Sequence, residues 1–191
     1  IFLLPVIAAL PLPFSPIQII LLELFMDLGA SPGFVAAPAE PGLITKQPGR
    51  RSEKVIDRQT AATIIAKGFL LFAAVTGAYL FAHSRGYPLV HVQTWAVTAW
   101  FFGHIAMAYC TRSEERLIPE TGLFANPVIN LWGAGAITVL LAGMYLPFLS
   151  GPLNLAPLGP LTLIAIAAGV VVFVTLGEMA RRKAAGRGII R

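Results

Sequence analysis

Charged residues and cysteine are both scarce in this sequence. Charged side chains make up 12% of its 191 residues, about half the share found in an ordinary soluble domain. The hydrophobic share is 57% and the mean hydropathy is +0.77, which argues against a water-soluble fold. The single cysteine, Cys110, excludes an internal disulfide.

The excess of basic residues does not indicate nucleic-acid binding. The net charge is +5 and the isoelectric point is near 9.8, but nucleic-acid recognition needs a basic patch on a water-exposed surface. Here the lysines and arginines separate apolar segments instead. We therefore expect a lipid bilayer as the partner of this chain, and no nucleic acid.

Apolar segments long enough to cross a bilayer, about 20 residues each, recur along the sequence. They predict an all-α polytopic membrane helix bundle with about five full transmembrane helices and a truncated one at the N-terminus. The predicted helices cover residues 1–13 (partial), 16–31, 61–83, 92–110, 128–149 and 158–180. Because residues 1–13 begin without methionine or a polar lead-in, we expect them to be the tail of a longer helix, in a single transmembrane domain that is a fragment of a larger protein.

The positions of the basic residues predict the orientation of this bundle. If successive loops alternate sides, 13 of the 14 lysines and arginines fall on one side and only Arg85 falls on the other. The positive-inside rule then places loops 32–60 and 111–127 and the tail 181–191 in the cytoplasm. We expect a multi-pass integral protein in the plasma membrane of a prokaryote.

Two acids, Glu23 and Asp27, lie within the apolar run that extends from Pro16 to Leu28. A charge at the bilayer centre costs roughly 2.5 to 3.5 kcal/mol, so it persists only with a partner, a proton or a bound ion. Side chains four residues apart share one helix face, which predicts an intramembrane cation or proton site. The alternative is an amphipathic helix at the membrane interface, with both acids in water.

The same run resembles the sixth transmembrane helix of type II P-type cation-transporting ATPases. The family pattern is carried by Pro16, Gln18, Ile19, Ile20, Glu23, Leu24 and Asp27. Weaker similarities extend over nearly the whole chain, at Glu40-Pro41, Thr94–Thr98, Asn126, Asn130-Leu131-Trp132, Pro147, Glu178 and Arg181. The resemblance implies the C-terminal half of the pump's membrane domain, from the end of helix five through helix ten.

The resemblance also implies which residues bind the transported cation. Asp27 and Glu23 occupy liganding positions, and His104 falls where calcium pumps place a glutamate. Gln18 is a further candidate ligand, although an interhelical hydrogen bond is the usual role of such a residue. Calcium prefers six to eight oxygen ligands, and neither Met26 nor His104 supplies oxygen. This argues against a two-calcium site and leaves one calcium, a monovalent cation or a proton as the transported species.

The resemblance places the chemistry of ATP outside this chain. In the family, the phosphorylated aspartate and the residues that bind ATP and Mg²⁺ lie before helix five, so we predict no catalytic and no cofactor-binding residue here. The implied partners are the missing N-terminal membrane helices and cytoplasmic domains of the same pump. The alternative is a stand-alone, non-catalytic membrane protein that associates with a partner through its helix faces.

Overall fold

A computed structural model describes residues 1–25, 58–111, 124 and 126–188 of the chain. Over these ranges the protein forms seven α-helices and no strand, so the predicted all-α helix bundle is confirmed for the described residues. The helices are α1 (Leu3–Ile7), α2 (Pro16–Phe25), α3 (Arg58–Ser84), α4 (Leu89–Thr111), α5 (Pro127–Tyr145), α6 (Pro147–Ser150) and α7 (Pro160–Gly188).

Helix α4 lies at the centre of the bundle, where it packs against α3, α5 and α7. Of its 23 residues, 13 are buried, and they are distributed around the helix instead of along one stripe. Many of them are small, such as Ala96 and Ala99, which allows neighbouring helices to approach closely. The hydroxyls of Thr94 and Thr98 donate to backbone carbonyls one turn earlier, at 2.7 Å each, and so are satisfied inside the helix.

Three helices among the described residues are long and apolar enough to cross a membrane, compared with about five predicted full spans. These stretches are Thr60–Ser84, Pro127–Tyr145 and Pro160–Ala184. Helix α4 has the length but is too polar, and α2 is described over only ten residues. The physical reason is that hydropathy marks helices whose side chains face lipid. A helix enclosed by other helices can carry polar residues because protein groups, and not lipid, surround them.

The N-terminal helix is much shorter than the predicted stretch 1–13. Helix α1 ends at Ile7, and residues 8–15, here named the linker segment, leave the helical conformation before α2 begins. Ala9 has a φ of 52°, in the left-handed region. Pro11 and Pro13 have no N–H to donate, so a continuous helix across this segment would lack hydrogen bonds.

The structure also shifts the bounds of the last two predicted helices. Helix α5 ends at Tyr145, earlier than the predicted 149, because Leu146 is extended and Pro147 starts the short helix α6. Helix α7 continues to Gly188, into residues 181–188 of the predicted cytoplasmic tail. The second difference arises because basic residues can mark a membrane boundary in the sequence without ending a helix.

One end of the bundle is held by a buried ion-pair cluster and is here named the basic end. Glu178 of α7 is 2% exposed. It accepts two hydrogen bonds from the Arg181 guanidinium at 2.7 Å each and one from Arg182 at 3.1 Å. Arg181 also donates to the Thr63 hydroxyl of α3 at 3.2 Å, and Arg182 donates to the carbonyl of Cys110 in α4. The cluster therefore ties α3, α4 and α7 together.

Candidate cation site

Glu23 lies on an open cleft of about 220 Å³ beside α2. Its side chain is exposed in this chain. The other lining residues are apolar or aromatic and come from α1, α2, α4 and their flanks: Ile1, Phe2, Phe14, Ile19, Leu22 and Trp100. A carboxylate oxygen is a ligand that hard cations prefer, so Glu23 can offer one to a cation that enters this cleft.

Helix α2 is packed into the bundle and does not lie apart from it. Leu22 is 5% exposed and belongs to the main hydrophobic core. At the other end of the described helix, the carbonyl of Phe25 accepts a hydrogen bond from the Trp132 indole of α5 at 3.0 Å. The Phe25 ring meets Phe101 of α4 edge to face, with centroids 5.3 Å apart. These contacts hold the described part of α2 on α4 and α5, and the position of its acid relative to the bilayer stays a prediction.

Gln18, the predicted neutral ligand, is fully buried and already hydrogen-bonded. Its Oε1 accepts from the backbone N–H of Ser15 at 3.0 Å. Its Nε2 donates to the carbonyls of Asn154, at 2.7 Å, and Leu153, at 3.5 Å. Both ends of the amide are therefore engaged, and Nε2 holds α2 against the loop after α6. Its role as a cation ligand stays a prediction.

His104 lies one turn after Trp100 on α4. The two rings overlap, with centroids 3.8 Å apart. The Nδ1 atom of His104 is 2.9 Å from the carbonyl of Trp100, and because a carbonyl can only accept, Nδ1 carries the hydrogen. In a neutral imidazole the lone pair then lies on Nε2. Trp100 also lines the cleft, so His104 contacts one residue of the cleft wall, and its part in cation binding stays a prediction.

Asp27 and Met26 lie outside the described residues, as do loops 32–57 and 112–123. The place of Asp27 in the site thus stays a prediction from the sequence. Among the residues that the structure describes, no three histidine, cysteine, aspartate or glutamate side chains cluster closely enough to hold a metal ion. Glu23 and His104 therefore do not make a complete site by themselves.

Polar residues that the sequence reasoning did not single out surround the linker segment. Gln93 donates from Nε2 to the carbonyl of Leu12 at 3.1 Å, and the Tyr79 hydroxyl donates to the carbonyl of Pro11 at 2.5 Å. The Asn154 side chain donates to Oε1 of Gln93 at 2.9 Å. The sequence could have predicted a tertiary hydrogen bond from Gln93, because an amide in a predicted membrane-spanning segment usually bonds to another helix.

Comparison with known proteins gives one family and two named relatives. The family described as "Cation transporting ATPase, C-terminus" matches residues 11–182. The chain is 25% identical over 138 residues to "Calcium-transporting ATPase 1" of Yarrowia lipolytica, covering 72% of this chain and 15% of that protein. It is 26% identical over 152 residues to "Calcium-transporting ATPase" of Bacillus subtilis, covering 77% and 16%. The chain thus spans about a sixth of the length of the curated relatives it matches.

Proposed function

Because this chain belongs to the cation-transporting ATPase C-terminus family, we propose that it forms the C-terminal part of the membrane domain of an ATP-driven cation pump. The observation that carries the proposal is Glu23 on the cleft of α2, a helix fixed at both of its described ends. The alternative of a stand-alone membrane protein is not favoured, since the family match covers nearly the whole chain.

In this proposal, Glu23 and Asp27 supply oxygen ligands to the cation, and His104 adjoins them. Calcium is the first candidate cation, because both named relatives are called calcium-transporting. Without oxygen from Met26 or His104, we expect one calcium and not two. Binding of ATP and Mg²⁺, and phosphorylation of an aspartate, would belong to other domains of the same pump. A prokaryotic plasma membrane as its location stays a prediction.

Transport by the full-length protein tests this function directly. We expect vesicles that contain the purified pump to take up calcium when ATP is added, and to release it when a calcium ionophore is added. Parallel assays with sodium, potassium and a pH gradient identify the cation and any counter-transported proton. Vesicles with the Asp27→Asn variant are the control. ATP-independent permeation of every cation, with no uptake above that control, would contradict the proposed function.

The role of His104 in cation binding can be tested by replacing it with glutamate, the residue that calcium pumps place at this position. We expect His104→Glu in the full-length pump to lower the calcium concentration for half-maximal phosphorylation by about tenfold, because calcium affinity rises with the number of charged oxygen ligands. The matched variant His104→Gln adds a neutral oxygen and should have a smaller effect. An unchanged calcium dependence in both variants would remove His104 from the site.

A further inference from the structure

Three amide side chains connect α2 with the rest of the bundle, at the end opposite the basic end. They are Gln18 of α2, Gln93 of α4 and Asn154 of the loop after α6, together named the amide clasp. Gln18 is fully buried and Gln93 is 6% exposed. Burying an amide is costly unless it is hydrogen-bonded. The hydrogen-bond partners of these side chains therefore show which parts of the bundle they hold together.

The hydrogen bonds of the amide clasp form a ring that is closed by the backbone between Leu12 and Ser15. Gln18 donates to the carbonyl of Asn154 at 2.7 Å, and the Asn154 side chain donates to Oε1 of Gln93 at 2.9 Å. Gln93 donates in turn to the carbonyl of Leu12 at 3.1 Å, and the N–H of Ser15, three residues further on, donates to Oε1 of Gln18 at 3.0 Å. The ring therefore starts and ends on the segment that leads into α2.

The loop side of this ring is fixed by backbone geometry. Asn154 has a φ of 50°, in the left-handed region that asparagine adopts more readily than most residues. Its carbonyl contacts α2 while its side chain contacts α4. Two residues later, the N–H of Ala156 donates to the Thr94 hydroxyl at 2.9 Å. The loop is thus held on α4, and it holds α2 in turn.

Beside the packing of Phe14, which is 2% exposed in the main core, few hydrogen bonds outside the amide clasp hold the linker segment. Residues 11–15 lie outside any helix, and Pro11 and Pro13 cannot donate backbone hydrogen bonds. Two described hydrogen bonds reach this segment from α3 and α4. Gln93 donates to the carbonyl of Leu12, and Tyr79 donates to the carbonyl of Pro11. Most of the described hydrogen bonds between the start of α2 and the rest of the bundle therefore come from the amide clasp.

We propose that the amide clasp positions α2 and thereby sets the cation affinity at Glu23, with Gln18 acting as a positioning residue and not as a ligand. Glu23 follows Gln18 by five residues, which is about 7.5 Å along the helix axis. A ligand must be held within about 0.5 Å of its productive position, so a small displacement at Gln18 changes the geometry at Glu23. This inference rests on the proposed function.

Two substitutions of Gln18 separate a positioning residue from a ligand. Glutamate keeps the length and adds a charged oxygen, but an ionised carboxylate cannot donate to the Asn154 carbonyl; leucine removes both polar atoms. We expect Gln18→Glu and Gln18→Leu alike to raise the cation concentration for half-maximal phosphorylation of the full-length pump by roughly threefold to tenfold, the effect of losing one or two hydrogen bonds. The maximal phosphorylation level should be unchanged.

Asn154 offers a test that leaves Gln18 intact. Asn154→Gly removes the side chain and permits the left-handed φ, so only the bond to Gln93 is lost. We expect a rise in the half-maximal cation concentration of roughly twofold to fivefold. Tyr145→Phe is the matched control, because it removes a 2.5 Å hydrogen bond to the carbonyl of Leu158 in the same loop, away from α2. It should leave the cation dependence unchanged.

Two results would overturn the proposal. One is an unchanged or lower half-maximal cation concentration in Gln18→Glu, the result expected of a ligand. The other is an Asn154→Gly variant that behaves like Tyr145→Phe. If Gln18→Leu does not accumulate in the membrane, Asn154→Gly carries the test, because it removes only a partly exposed side chain. A wild-type pump without cation-dependent phosphorylation would instead refute the proposed function itself.

Discussion

The full-length pump with Glu23→Gln is expected to need about a hundredfold more cation for half-maximal phosphorylation, because removing a charged oxygen ligand weakens binding of a hard cation strongly. Asp27→Asn is expected to abolish cation-stimulated phosphorylation, since the resemblance makes Asp27 a direct ligand. Both substitutions keep the size of the side chain and remove a charge from an apolar stretch of the sequence, so both proteins should still be inserted in the membrane. Phosphorylation by labelled ATP over a cation titration measures both effects.

The control for this pair is a variant that changes α2 without changing its charge. Leu24→Ala alters a side chain that is 52% exposed, next to Glu23 in sequence but on a different face, and should leave the cation dependence as in the wild type. If Glu23→Gln and Asp27→Asn both transport like the wild type, Glu23 and Asp27 do not bind the cation. The site would then have to be sought elsewhere in the pump.

The second large effect is expected at the basic end, on stability instead of affinity. Glu178→Gln should lower the free energy of unfolding by about 3 kcal/mol, the lower end of the range for breaking a buried ion pair. The lower end applies because the side chains of Arg181 and Arg182 retain 19% and 15% exposure and keep part of their hydration. Thermal unfolding of the detergent-solubilised pump, compared with the wild type, measures the loss.

Cys110 provides a local readout of the same change. Its thiol belongs to a residue that is 5% exposed, and its backbone carbonyl accepts from Arg182. When Glu178 no longer orients Arg182, we expect faster alkylation of Cys110, followed by mass spectrometry of its peptide. The exposed Lys183 gives the control, since Lys183→Gln changes the charge of the same helix without touching Glu178. Equal alkylation rates in all three proteins would contradict a stabilising role for the cluster.

Glu23 and Glu178 differ in how far the sequence revealed their roles. Glu23 stood out because a charge in an apolar run is costly, and the run matched a known pattern. Glu178 resembled the acid that closes the last helix of the family, but its contact with α3 and α4 through the two arginines joins residues more than 65 positions apart. Such contacts depend on how helices pack, which no local pattern encodes.

The sequence alone determined the class of protein, the approximate helices and the place of Glu23 and Asp27 within an apolar run. It could do so because the bilayer imposes length and polarity on each segment independently. Only the tertiary structure decided that α4 is central, that the linker segment leaves the helical conformation, and that Gln18, Gln93 and Asn154 join in one ring. These features arise from hydrogen bonds between residues as far apart as Gln18 and Asn154. A buried amide must find a partner, but its own sequence neighbourhood does not specify which one.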